Sequence, residues 1–253
     1  MTIRTVNTNG VAVIEIARPE KKNALTQAMY TAMAEAIAAA DADAAIRAVL
    51  ITGQPGIFTS GNDLEDFMTR PPQGEDSPVF HFMKALAECG KPVVAAVTGG
   101  AIGIGTTMLL HCDLVYVSDE ARLAMPFVGL GLVPEYASSL LVTQRVGHAK
   151  ATELLLLGEP FNGEAAVEMG IANAVLPAAE VVNHARRMAE RFNALPPGAV
   201  RESKALMRRG QKALVQDTIA AEATVFGTRL RSPEAMEAFR AFFEKRKPDF
   251  SKF

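Results

Sequence analysis

The sequence predicts an α/β fold closed by an all-helical C-terminal region, on three observations. Strand, helix and strand patterns recur between Ala48 and Val117. Two Gly-rich segments, Phe58 to Leu64 and Gly99 to Gly105, each lie between an apolar β-type run and a helical pattern. Beyond Pro196-Pro197-Gly198, which cannot continue a helix, the pattern from Ala199 to Arg246 is helical throughout.

Taken in order, Ile3 to Asn7 and Val11 to Ile16 read as strands joined by Asn9-Gly10, a strong hairpin signal. Thr26 is a plausible N-cap for a helix reaching Ala40, with Met29, Met33 and Ile37 on one face. Ala48 to Thr52 returns as a buried strand and Gly53 to Gly61 reads as a loop. Asn62 or Asp63 caps a short helix ending at Met68, stopped by Pro71, Pro72 and Gly74. A helix from Pro78 to Cys89, a strand from Pro92 to Val97, a helix from Ile104 to Cys112 and a strand from Asp113 to Val117 follow. From Glu135 onward the pattern gives helices at Tyr136–Val146, His148–Leu157, Gly163–Met169 and Ala179–Leu195, with one late strand at Ala172–Leu176. Residues 1–195 are expected to form the core domain and 199–253 a helical region that docks on it or on another subunit.

Composition narrows the function. The 253 residues are 49% hydrophobic and 21% charged, ordinary globular usage that excludes disorder and fibrous repeats. Lys plus Arg is 26 and Asp plus Glu is 28, a formal net charge of −2, so no long-range positive field recruits nucleic acid. Cys89 and Cys112 are the only cysteines and cannot form a disulfide framework, which points to a reducing, cytoplasmic setting. The first residues alternate apolar and polar and lack the apolar core of a signal peptide. The charge-free stretch from Pro92 to Cys112 is broken by Gly99, Gly100, Gly103 and Gly105, so no membrane span is expected. The terminal Ser251-Lys252-Phe253 ends in Phe where a peroxisomal address ends in Leu, and nothing rests on it.

Either Gly-rich segment could aim backbone N–H groups at an anion, or could simply serve tight packing. The second lacks both the dinucleotide-binding spacing and the Walker lysine, which removes nucleotide hydrolysis. The four histidines show no metal-ligand spacing, and His111 beside Cys112-Asp113 reads as a satisfied core or interface residue. No metal is expected.

Five segments in order carry a family likeness: Arg18-Pro19-Glu20-Lys21-Lys22-Asn23-Ala24-Leu25, Phe58 to Leu64, Val97 to Gly105, Cys112-Asp113-Leu114, and Phe243-Glu244-Lys245-Arg246. With them the chain resembles the crotonase superfamily, the enoyl-CoA hydratases and isomerases, over nearly its whole length. The resemblance implies a spiral of β-β-α units with a helical C-terminal trimerisation region, assembling as a homotrimer or dimer of trimers. It implies an acyl-CoA thioester as substrate and no separate cofactor, coenzyme A being part of that substrate. It also implies that the backbone N–H groups of Ser60 and Ile104 form an oxyanion hole for the thioester oxygen, a device worth roughly 10²–10³ in rate per donor.

By the same resemblance Lys21, Lys22 and Ala24 border the nucleotide end of coenzyme A, with Phe226 and Lys245 reaching it from the C-terminal helices. Read without it, Lys21 and Lys22 are a solvated loop and Lys245 an exposed helix end. Gly61, Asp63, Gly103, Thr107, Phe127 and Tyr136 are the further candidates for contact with the acyl-CoA; Asp63 could equally be a helix cap, and Tyr136 a first-turn helix residue.

The motifs put the two glutamates of the hydratases at Thr107 and Phe127, where neither side chain can ionise. Glu135 instead matches the single catalytic glutamate of one branch of the β,γ-to-α,β enoyl-CoA isomerases. One carboxylate suffices for that proton shuttle, and Phe127, Val128, Leu132 and Val133 are expected to exclude water around it. The competing reading is that Pro134-Glu135 merely starts a helix, which would lower the carboxyl pKa where a general base benefits from a raised one. The isomerase expectation therefore stands beside two others: an enoyl-CoA hydratase or other enolate chemistry of the superfamily, and a catalytically silent relative binding CoA thioesters or RNA.

Overall fold

A computed structural model describes residues 2–70, 74 and 76–253. The chain opens as predicted: β1 (Ile3–Thr8) and β2 (Val11–Ile16) pair antiparallel from Ile3 opposite Ile16 to Thr8 opposite Val11. Asn9 and Gly10 take φ of 48° and 71°, the two left-handed residues of a turn that matches strand twist. In α1 (Gln27–Ala42) the Thr26 side chain accepts from the Met29 N–H, and Met29, Met33 and Ile37 are buried.

Three strand pairs then repeat one motif, each pair turning a corner so that its members join different sheets. They are β3 (Ala48–Thr52) with β4 (Gly56–Thr59), β5 (Val93–Val97) with β6 (Gly99–Ile102), and β7 (Leu114–Ser118) with β8 (Arg122–Ala124). Helices α2 (Leu64–Thr69) and α3 (Pro78–Glu88) follow the first pair. A short α4 (Ile104–Thr107), prolonged as a 3-10 turn to His111, follows the second. After the third come α5 (Ser138–Leu155), β9 (Phe161–Asn162), α6 (Gly163–Glu168), β10 (Ala174–Leu176) and α7 (Val181–Glu190). One sheet has the order β1-β2-β3-β5-β7-β10 and the other β4-β6-β8-β9. This is the spiral of β-β-α units expected.

The sequence reading needs correction at several points. The two Gly-rich segments are strands in part: β4 pairs with β6 from Gly56 opposite Gly99, held by backbone bonds that leave no side-chain alternation to read. Strands β8 and β9, of three and two residues, are too short to register as patterns. Glu135 is not on a helix, because Tyr136 and Ala137 are left-handed (φ 59° and 56°) and α5 begins only at Ser138. Within α5, Gly147 at φ 76° breaks the helix where two were expected. The Pro71 and Pro72 invoked to stop α2 lie outside the described residues; the helix ends at Thr69.

In the larger sheet the strands β2, β3, β5 and β7 are buried on both faces and read as near-continuous apolar runs, while the edge strand β1 is exposed. Val11, Val13, Leu50 and Val94 pack under Val181 and Ala185 of α7, while Ile14, Val49 and Val93 face the main core. The C-terminal helices α8 (Pro197–Arg209), α9 (Lys212–Arg229) and α10 (Pro233–Phe243) close on that core through Phe226, Ala235 and Phe239. Polar bonds fix α8: Lys204 and Arg208 reach Asp113 at 2.6 and 2.9 Å. Among the described residues no helix is long and apolar enough to cross a membrane.

Asn23 ties the first loop to β4. Fully buried at φ 55°, it donates from Nδ2 to the carbonyls of Ile16, Ile57 and Phe58 at 3.0, 3.2 and 3.0 Å and accepts from the Arg18 N–H at 2.7 Å. Asn23→Ala removes these buried hydrogen bonds and leaves in left-handed backbone a residue without the short polar side chain that lets Asn tolerate it, so urea unfolding should show a loss of about 3 kcal/mol in stability with an unchanged m-value.

Candidate active site

Two chain segments converge beside Glu135. The first runs from the end of β4 through Ser60 to Asp63 and lies against Lys22–Leu25: the Leu25 N–H donates to the Gly61 carbonyl at 2.8 Å and the Asp63 N–H to the Leu25 carbonyl at 2.9 Å. The second is the turn from β6 into α4. Gly103, at φ 58° and ψ −121°, makes that turn with a backbone that side-chain-bearing residues rarely adopt. Gly105 lets α4 start against β4, since a Cβ there would sit 2.6 Å from Thr59 Cγ2 and 3.1 Å from its carbonyl oxygen.

The two amides named from sequence are not equivalent. Ile104 is the first residue of α4, so its N–H has no intrahelical acceptor. The Ser60 N–H donates to the Lys22 carbonyl at 3.0 Å. A thioester oxygen placed between them would meet one open donor and one already engaged.

Glu135 lines a largely apolar cavity of about 1410 Å³ between α3 and the C-terminal helices, walled by Phe67, Val79, Met83, Ile219, Phe226 and Phe239 among others. Its side chain is buried, and Oε1 accepts from the Thr107 hydroxyl at 2.5 Å. Oε2 has no protein partner among the described residues. Burial pushes the Glu135 carboxyl up to about 8; the Thr107 hydrogen bond pulls the other way and the Glu222 carboxylate adds to the rise. The helix-terminus effect expected to oppose this is missing because α5 starts three residues later.

The elbow behind Glu135 is held from three sides. The Tyr136 hydroxyl donates to the Met83 carbonyl at 2.7 Å, and the Tyr136 ring stacks on His111 at 3.8 Å. His111 Nε2 donates to the Tyr136 carbonyl at 2.8 Å, its ring neutral because burial drives its pKa down to about 4. Glu222 of α9 accepts from the Ala137 and Ser139 N–H groups at 2.5 and 3.0 Å. Tyr30, also buried, donates to Asn62 Oδ1 at 2.5 Å and so orients a cavity-lining amide.

The other sequence candidates fall into place unevenly. Tyr136 and Phe226 line the cavity with Glu135, Phe226 meeting Phe67 edge-on. Phe127 is buried beside Gly103 and Leu132 is buried too, Val133 is half-buried and Val128 is 39% exposed, but none of the four lines the cavity with Glu135. Asp63 caps α2 through the Asp66 N–H and pairs with Arg18 at 2.6 Å; burial tends to raise its pKa, yet Arg18 and the capped N–H groups hold it below the usual carboxylate range. Lys21 and Lys22 are exposed, Ala24 is half-buried next to the Ser60 loop, and Lys245 is exposed just past α10. Sequence reasoning missed Tyr30, Asn62 and Glu222, and gave His111 no role beyond the core. A polar residue at a helical core position was the available signal for Glu222; nothing local marked its target.

Comparison with known proteins gives a consistent picture. A family model described as enoyl-CoA hydratase/isomerase matches residues 6–252. A probable enoyl-CoA hydratase of Bacillus subtilis is 30% identical over 95% of both chains. Human enoyl-CoA delta isomerase 2 is 32% identical over 97% of this chain and 64% of its own. Among solved structures, Pseudomonas aeruginosa OdaA superposes with a TM-score of 0.94 at 55% identity, covering 95% of this chain and 98% of that one. An enoyl-CoA hydratase/isomerase from Pseudoalteromonas atlantica gives 0.94 at 41% identity, over 99% and 100%.

The raised Glu135 pKa has a stability consequence. Unfolded, the carboxyl ionises near 4.5; folded, it keeps its proton to about pH 8, so folding takes up a proton between those values. Stability therefore falls as pH rises through that window and levels off above it. Glu135→Gln removes the term, and thermal melts should show the variant gaining on the parent from pH 5 to pH 8, by on the order of 3 kcal/mol at the upper end.

Proposed function

The chain belongs to the enoyl-CoA hydratase/isomerase family, enzymes acting on acyl-CoA thioesters, and within it we propose that this protein shifts an enoyl-CoA double bond from the β,γ to the α,β position. The observation that carries the reading is a lone carboxylate. Among the described residues Glu135 is the only buried acid lining the cavity, while the positions of the hydratase glutamates hold Thr107 and Phe127.

In the proposed reaction ionised Glu135 takes the proton from the α-carbon. With Oε1 held by Thr107, the proton goes to Oε2. The electron pair left on carbon delocalises to the thioester oxygen, giving a dienolate. The Ile104 and Ser60 N–H groups stabilise that charge, Ser60 giving up its bond to the Lys22 carbonyl as it does so. Oε2 then returns the proton to the γ-carbon, and the double bond emerges conjugated with the thioester. Atoms balance without water, and no cofactor is consumed. Phe67, Phe226 and Phe239 supply an apolar wall suited to an acyl chain. Exposed apolar residues on the C-terminal helices, Leu206, Met207, Phe242 and Phe243, support a subunit interface of the kind a homotrimer would bury.

The base must be ionised, so turnover should rise with pH through about 8. The deciding experiment follows absorbance of the conjugated enoyl thioester after mixing the protein with a β,γ-enoyl-CoA, beside Glu135→Gln. Absorbance should grow with the parent and fall by about 10³-fold in rate with the variant, at little change in KM. Water addition to a conjugated enoyl-CoA, with no isomerisation, would make the protein a hydratase instead. Thioester binding with no turnover of either substrate would leave a binding protein.

A further inference from the structure

We propose that Glu222, on C-terminal helix α9, is a positioning residue for Glu135: it clamps the left-handed elbow at Tyr136 and Ala137 that fixes the carboxyl in the cavity wall. The inference rests on reading Glu135 as the proton shuttle.

The first amides of an α-helix need acceptors from outside it, and α5 has no side-chain cap of its own at Ala137. Glu222 fills that place from more than 80 residues away. Oε2 accepts from the Ala137 N–H at 2.5 Å, and Oε1 accepts from both the Ser139 N–H at 3.0 Å and the Ser139 hydroxyl at 2.5 Å. All three contacts are donations to the carboxyl, the pattern an ionised acid satisfies and an amide cannot, since a glutamine would turn an NH₂ against a backbone N–H. The clamped segment is strained. Two consecutive non-glycine residues in left-handed backbone persist only where their surroundings over-determine them, and among the described residues Glu222 is the charged group that binds the segment's own amides.

Glu222 is buried, does not line the cavity and makes no contact with Glu135, so it acts through the backbone and through its charge. The titratable groups facing Glu135 are Glu222 on α9, Tyr30 on α1 and the adjacent Tyr136, with His111 behind Tyr136. Both tyrosines are held protonated by burial, and His111 is neutral above about pH 4. Burial raises the Glu222 carboxyl above the usual carboxylate range while its bonds from Ser139 and Ala137 pull the other way, and in its ionised form its field opposes ionisation of Glu135.

The test compares the parent with Glu222→Gln and, as a milder cut that keeps the charge, Ser139→Ala, whose side chain is at the surface. Two readouts are taken: the pH profile of kcat and KM on a β,γ-enoyl-CoA, and a carbon-13 titration of the Glu135 carboxyl, which needs no turnover. Glu222→Gln should lower kcat by about 10-fold or more with KM within about twofold, and should move the acidic limb and the titrated Glu135 pKa down by about one unit. Ser139→Ala should lower kcat by about threefold with the limb in place. A residue that only stabilises the fold would lower the melting temperature and leave the Glu135 titration where it is; that result, or unchanged kcat in both variants, overturns the proposal. If the parent turns over no β,γ-enoyl-CoA, the isomerase reading fails, and the positioning role is then read from the Glu135 carboxyl resonance in Ser139→Ala, which keeps the Glu222 charge: a shifted resonance upholds it and an unshifted one overturns it.

Discussion

Taking the Glu135 carboxyl out of water penalises its charged form, and a single hydrogen bond from Thr107 offsets only part of that penalty. The site is organised around this imbalance. A carboxylate with two or three strong donors would ionise readily and be a poor base, whereas one donor on Oε1 steers the side chain and leaves Oε2 basic. The apolar walls contributed by α2, α3, α9 and α10 keep the imbalance in place by excluding solvent. Thr107 serves this arrangement in a way an acid could not: a carboxylic acid in its place would sit against Glu135 and drive one of the two to stay protonated.

The backbone that carries Glu135 is strained, and three separate parts of the chain hold it. His111 at the end of the α4 turn binds the Tyr136 carbonyl, the Met83 carbonyl of α3 accepts the Tyr136 hydroxyl, and Glu222 binds the amides beyond. Arg208 of α8 in turn donates to the His111 carbonyl at 2.8 Å and to Asp113. The C-terminal helices are consequently part of the site twice over, as cavity wall and as scaffold for the elbow. A helical tail with no sheet of its own to cover finds its stability in that docking, through Phe226 and Phe239 in the core as well as through these polar contacts.

What the sequence made legible was whatever local chemistry determines. Asn9-Gly10 forces the hairpin, Thr26 caps α1, Gly147 breaks α5, and the apolar runs of β3, β5 and β7 declare a sheet buried on both sides. Glu135 could be singled out because a motif in order along the chain led to it. The elbow could not, since nothing in Glu135-Tyr136-Ala137 favours left-handed backbone and Pro134-Glu135 is sound helix-start chemistry; the conformation is imposed by Glu222 and His111 from distant positions. The strands β4 and β6 escaped for a related reason: each is four residues long and opens on glycine, and backbone bonds pair them without a side-chain pattern to read.

The engaged Ser60 amide belongs to the same logic of long-range constraint. Its acceptor, the Lys22 carbonyl, sits in a left-handed pair, Lys22 and Asn23, that Asn23 locks to β4 through its buried amide. On the proposed reaction a neutral thioester oxygen has little advantage over that carbonyl as an acceptor for Ser60, while an enolate oxygen, bearing charge, draws a markedly stronger bond. The Ile104 amide, open from the start, serves ground state and intermediate alike. A donor released only to the charged species lowers the barrier without tightening the ground state, which is the form of binding that raises kcat rather than lowering KM. On that reading the Lys22 carbonyl makes the first loop a discriminating half of the pair, held in place by the Asn23 contacts to β4.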